Sequence, residues 1–262
     1  MPRAHRVLLP LLLVFLATCG PRAPEGDGSD VLVVGTEAAF PPFESVAEDG
    51  SLEGFDIDLA RALGAELGRR VEFRNCEFST LIPDLQSGRL DAVCSGMSRT
   101  PERAQVVDFS QPYVRVPTGV LVSATLVPEG ATLAALDRPD VVAAVQRKTT
   151  GEEKTRANLP QAQVRVFDRE VDAAQEVADG RAHVFVYDMV SIVKLHAQHA
   201  ATTRILDVEL GTEHYCIAFA KGSPLVADAD AFLARESRPG GKVDELLRRW
   251  LTDPERFRAE PR

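Results

Sequence analysis

At 262 residues, with 45% hydrophobic and 26% charged, the chain has an ordinary globular balance, which excludes wholesale disorder. That length holds one large domain or two lobes of about 100 residues each. A formal net charge of −9 without a basic stripe argues against nucleic acid as a partner and suits solubility outside the cytoplasm.

In chain order, Arg3, His5 and Arg6 precede an apolar run from Val7 to Ala17 that contains Pro10 and is too short to span a bilayer comfortably. This pattern predicts a secretory signal over residues 1–19. The run ends in Leu16-Ala17-Thr18-Cys19-Gly20, which is similar to a bacterial lipobox and makes Cys19 the expected lipidation site and membrane anchor. Thr18 is larger than the residue usual before such a cysteine, so ordinary signal cleavage remains an alternative. Residues 20–29, rich in Gly, Pro and charge, read as a flexible tether. No later run is long enough to cross a membrane, so the body is expected to be soluble after export. Cys76, Cys94 and Cys216 allow one disulfide with one thiol left over, or three buried thiols.

Val31–Gly35 is an apolar, β-branched strand. Leu52 to Leu67 follows as an amphipathic helix carrying Ile57, Leu59, Ala60, Leu63 and Leu67 at helical spacing. Val71–Phe73 is a strand, Leu81–Gly88 a helix with Pro83 in its first turn, and Leu90–Cys94 a third strand. The pattern then repeats, with strands at Val141–Val145, Val164–Phe167 and Ala182–Tyr187 and helices at Thr150–Leu159, Val171–Asp179 and Val190–His199. Such alternation predicts two α/β lobes, each with an open, mostly parallel sheet flanked by helices. Two further apolar stretches, Gly119–Val122 and Tyr215–Phe219, are expected to pair as a two-strand hinge. Residues 30–118 and 215–262 then form one lobe and 119–214 the other. The last part, Pro224 to Leu251, is helical and broken at Arg238–Gly241.

Open α/β sheets bind ligands at the carboxyl ends of their strands, and a hinge lets two lobes close on one. After the third strand stand Thr100 and Pro101, a good helix start, with Arg103 in the first turn, where a cation opposes the helix dipole. A bound carboxylate would account for it, as would a solvated or salt-bridged arginine. Asp188 follows the last strand of the second unit and either receives an ammonium group or caps the next helix. An Arg on one lobe and an Asp on the other complement the two charged ends of a free amino acid.

The ordered segments Phe78–Asp91, Ser95-Gly96-Met97-Ser98, Thr100–Arg103 and Val107–Ser110, with Gly35-Thr36, Phe40–Phe43 and Gly54–Ala60, resemble the bacterial extracellular solute-binding protein family 3 over residues 31 to 252. The resemblance implies a two-lobed periplasmic-binding-protein fold of type II and a receptor that hands a polar amino acid to an ABC importer permease. It implies that Arg103, Ser98 and the Ser95–Gly96 backbone hold the α-carboxylate, that Asp188 holds the α-ammonium, and that Thr150 closes from the second lobe. Lys148 stands where the family has Gly, which leaves the parts of Thr149 and Thr150 open. Phe40 and Phe78 match aromatic walls, and Glu37 a residue at the ligand's tip. Two aromatic faces and a carboxylate suit a basic side chain, with glutamine as an alternative.

Neither cofactor nor metal is expected. His196 and His199 lie three apart on one helix but in solvent-facing surroundings. The chain is expected to act as a monomer and not as an enzyme. Relatives of this fold include cyclohexadienyl dehydratases, which form the enzymatic alternative, and a ligand-sensing subunit of a signalling system is the third. No Gly-x-Ser-x-Gly, His-Glu-x-x-His or phosphate loop is present.

Overall fold

The computed structural model describes residues 30–251, so the expected signal, Cys19 and the tether lie outside the described residues. The chain enters through β1 (Val31–Thr36) and a small antiparallel sheet of β2 (Ala39–Phe40), β3 (Glu44–Val46) and β4 (Leu52–Glu53). Helix α1 (Phe55–Glu66), β5 (Arg70–Asn75), α2 (Phe78–Gln86), β6 (Ala92–Val93), α3 (Arg103–Val106) and β7 (Val107–Phe109) follow. Strand β8 (Val114–Ser123) leads to a second set: β9 (Val142–Gln146), α4 (Thr150–Asn158), β10 (Gln163–Phe167), α5 (Glu170–Ala178), β11 (Val184–Asp188), α6 (Met189–Gln198) and β12 (Thr203–Ile205). β13 (Thr212–Tyr215) and β14 (Ala218–Ala220) return the chain to the first set, where α7 (Leu225–Glu236) and α8 (Lys242–Trp250) pack on α1.

Each set is one lobe around its own sheet. The first sheet runs β5-β1-β6-β14-β7, with β5, β1 and β6 parallel and β14 antiparallel to both neighbours. The second runs β10-β9-β11-β8-β12, with β9, β10 and β11 parallel and β8 antiparallel. Helices cover both faces, so the central strands are apolar throughout: Leu32, Val33 and Val34 of β1 and Val184, Phe185 and Val186 of β11 are all buried. In α1 the buried face is Ile57, Leu59, Ala60 and Leu63, while Asp56 and Asp58 meet the positive end of its dipole.

Three local expectations need correction. Leu52–Glu53 is strand, so α1 starts only at Phe55. Helix α2 starts at Phe78, ahead of Leu81, which puts Pro83 inside it, where the ring leaves the carbonyl four residues earlier without a helical donor. Gly119–Val122 does not pair with Tyr215–Phe219. The crossing ribbon is Val114–Pro117 against Thr212–Tyr215, while Gly119 already lies opposite Tyr187 and Ala218–Ala220 is inside the first sheet. Burial gives the reason. β13 and the start of β8 alternate between buried and more exposed, as a ribbon with one wet face must, whereas Val120, Leu121 and Val122 are buried on both sides. Among the described residues, Cys76, Cys94 and Cys216 form no disulfide with one another.

Candidate ligand-binding site

Where the ribbon crosses, the strand ends of the two lobes face one another and enclose a cavity of about 20 Å³. Every ligand-binding residue expected from the sequence lines it: Arg103, Ser95, Gly96 and Ser98 after β6, Glu37, Phe40 and Phe78 beside them, and Thr150 and Asp188 from the second lobe. Glu44, Thr149 and Tyr187 complete the wall. A wider cavity of about 310 Å³ adjoins it across Phe78 and Arg103. The smaller space would admit a water but not an amino acid, so entry requires the lobes to part.

Arg103 begins a helix of only four residues, so little dipole opposes its charge. Thr100 Oγ1 accepts from the Arg103 N–H at 3.3 Å, which fixes the turn that leads into this helix from its N-cap, Glu102. The Arg103 side chain is 7% exposed and lies over the Phe78 ring, with Cζ 5.4 Å from the centroid. Nη1 donates to the Ser98 carbonyl and Nη2 to the Lys148 carbonyl of the other lobe, each at 2.8 Å. It makes no ion pair among the described residues. Burial pulls its pKa down, and the nearby charges of Glu153, Glu213 and Asp188 pull the other way.

Asp188 occupies the N-cap position of α6, yet its carboxylate makes no bond to that helix. Burial, with Glu213 adding repulsion, raises its pKa to about 7, against the pull of Lys154 and Arg103. The Tyr215 hydroxyl is turned to Asp188 without a well-formed hydrogen bond. Glu213, on the ribbon itself, is held by Lys154 Nζ at 2.6 Å; burial pushes its pKa up, but the bonds from Lys154 and Ser98 and the charges of Lys154 and Arg103 together bring it below the ordinary value.

Two contacts clasp the lobes over the cavity. Gln146 Nε2 donates to Glu37 Oε2 at 3.0 Å while its Oε1 accepts from Tyr187 Oη at 2.7 Å, and Phe40 meets Tyr187 edge-on at 5.8 Å. Burial raises the pKa of Glu37, which the Gln146 bond partly counters. Ser95 Oγ accepts from the Glu37 N–H at 2.9 Å and donates to Glu44 Oε1 at 2.8 Å. Gly96 has φ +51°, and a Cβ there would stand 2.9 Å from the Phe40 ring, so only glycine fits. Beyond Tyr187, burial raises the pKa of Glu170 to about 8, although Ser191 donates to it.

Thr149 caps α4: its hydroxyl accepts from the Glu152 N–H at 3.2 Å and donates to the Gln146 carbonyl at 2.8 Å. Thr150 is thereby left to face the cavity. Lys148 adopts φ 62°, a conformation that favours glycine, which aims its carbonyl at Arg103 while its N–H meets Glu152. Glu44 and Tyr187 were not anticipated. Tyr187 carried a signal, as the last residue of an apolar strand just before Asp188. Glu44 carried none, because one acid beside the exposed-looking Ser45 reads as surface.

The sequence model of the bacterial extracellular solute-binding proteins, family 3, matches residues 32–253. The arginine-binding extracellular protein ArtP of Bacillus subtilis is 29% identical over 242 residues, covering 90% of this chain and 92% of that one. A cyclohexadienyl dehydratase of Pseudomonas aeruginosa is 28% identical over 261 residues, covering 96% of each. The solved structure of an ancestral arginine-binding protein bound to arginine superposes with a TM-score of 0.77 at 35% identity, over 85% of this chain and 98% of that one.

Proposed function

The chain belongs to the bacterial extracellular solute-binding proteins, family 3, and from that membership we propose that it captures a free basic L-amino acid by lobe closure and delivers it to an ABC importer. One observation carries the reading: the buried Arg103 guanidinium and the uncapping Asp188 carboxylate come from opposite lobes to one cavity. A zwitterion supplies what each calls for, a carboxylate for the guanidinium fork and an ammonium for the acid. Glu37 and Glu44 beyond Phe40 make the remaining wall acidic, which suits a cationic side chain and opposes glutamate. The ribbon of β8 and β13 serves as the hinge. Outside the described residues, Leu16–Cys19 supports a lipid anchor on the extracytoplasmic face, with the receptor acting as a monomer.

The dehydratase relative supports a second reading, an enzyme on the same scaffold. Asp188 favours the receptor, since an acid placed for an ammonium retains an amino acid without needing to eliminate water. A thermal-shift screen of the twenty amino acids with ornithine and citrulline separates the two. A ligand at 100 times its Kd adds about 2.7 kcal/mol, a readily visible shift. Arginine, lysine, ornithine or histidine is expected to give the largest one. No shift with any of them, together with turnover of prephenate or arogenate by the purified protein, would replace the receptor with the enzyme.

A further inference from the structure

Two acids of the first lobe, Glu44 in the cavity wall and Asp56 behind it, have almost no water contact: Glu44 is 1% exposed and Asp56 is 0%. Two buried carboxylates side by side would be strongly unfavourable. Hydrogen bonds account for two of their four oxygens. Glu44 Oε1 accepts from Ser95 Oγ at 2.8 Å, and Asp56 Oδ2 accepts from the Gly96 N–H and from Tyr113 Oη, each at 2.7 Å. Glu44 Oε2 and Asp56 Oδ1 are enclosed and make no well-formed hydrogen bond, although the Glu44 carboxyl and the Cys94 thiol both stand within reach of Asp56. A carboxylate only accepts, so both orphans are satisfied together if one of the two groups carries a proton.

We propose that Glu44 and Asp56 share one proton, and that a cationic ligand side chain docking at Glu44 displaces it into solvent, so that this pair sets the charge preference of the pocket. The inference rests on the amino-acid reading of the cavity. Asp56, with two donors already on it, is the ionised member, and Glu44 donates from Oε2 to Oδ1. The electrostatics agree. Burial and then Asp56 push the Glu44 pKa well up, while the Gly96 and Tyr113 bonds hold Asp56 to about 6 against its burial. Of the other groups facing the pair, the Cys94 thiol and the Tyr113 phenol are raised by burial and stay neutral. Glu37 and Glu170 add only repulsion to Glu44. A guanidinium or ammonium at Glu44 neutralises a second negative charge there, and the Glu44 proton passes to buffer. A neutral amide leaves it in place.

Titration calorimetry near pH 7 in two buffers of different protonation heat counts the protons. L-Arginine and its neutral isostere L-citrulline present the same ammonium to Asp188, so the difference between them isolates the side-chain end. Arginine is expected to release about one proton more than citrulline. Glu44→Gln keeps the bond to Asp56 through its amide N–H and should still fold. It is expected to abolish the extra release and to weaken arginine about tenfold or more while leaving citrulline little changed. Equal proton counts for the two ligands, or an extra release that survives in E44Q, would overturn the shared proton yet leave amino-acid binding intact. Binding of no amino acid at all would remove the underlying reading instead.

Discussion

The two walls of the cavity differ in how their polar groups are held. On the first lobe they are bound to one another: Glu37 N–H to Ser95, Ser95 to Glu44, Gly96 to Asp56, Arg103 to the Ser98 carbonyl. On the second lobe the Thr149 hydroxyl is committed to capping α4, whereas Asp188 caps nothing and is pushed toward neutrality by its surroundings. One wall is preorganised, so a ligand meeting it pays little to order it. The other holds an acid whose charge is costly until a cation arrives, and in the proposed function that cation is the ligand's ammonium.

The largest expected effect tests the preorganised wall. Arg103→Ala should weaken amino-acid binding by on the order of 2–5 kcal/mol, since a buried carboxylate would lose its charge-assisted bonds. Calorimetry that finds unchanged affinity would break the assignment of the carboxylate end. Asp188→Asn probes the opposite wall and should cost less, about tenfold to a hundredfold for the amino acid. The deaminated analogue of the same ligand should lose little. Equal losses for both would mean that Asp188 shapes the lobe without meeting the ammonium.

This asymmetry also marks what the sequence could reveal. Apolar strands such as Val31–Gly35 and the face of α1 were legible because burial imposes a period on residue type, and Arg103 and Asp188 stood out as charges at strand ends. The hinge register was not legible, because the alternation of Val114–Pro117 lasts only four residues and the more apolar Gly119–Val122 beside it belongs to a sheet interior. Glu44 was hidden for a related reason. Its burial depends on Ser95 and Asp56, distant in the chain, and no local pattern announces a contact of that kind.

A smaller effect concerns pH. The ordinary pKa is 3.8 for Asp188 and Asp56 and 4.5 for Glu170, and burial raises these groups to about 7, about 6 and about 8. Between about pH 4 and pH 8 the folded ligand-free protein therefore holds protons that the unfolded chain has released, and its stability falls as pH rises through that window. The melting temperature without ligand should drop by several degrees, on the order of 5 °C, from pH 5 to pH 8. Saturating arginine should shrink the drop, because its cationic groups replace those protons at Asp188 and at the acidic end. A ligand-free melting temperature that rises over the same range would place the acids in solvent and remove the contrast between the walls.

The smallest effect is at Lys148. Its φ of 62° strains a side-chain-bearing residue, yet both interactions that fix the loop, the carbonyl to Arg103 and the N–H to Glu152, belong to the backbone. Glycine keeps both and removes the strain, at the cost of a more flexible unfolded chain. Lys148→Gly should thus raise the melting temperature slightly, by about 2 °C, and leave arginine affinity within about twofold. The ammonium of Lys148 would be exposed as dispensable by that result, and the second lobe's hold on Arg103 as a matter of backbone shape. A loss of affinity beyond about tenfold would instead assign the lysine side chain a part in the cleft, and the second wall would then carry a cation as well as an acid.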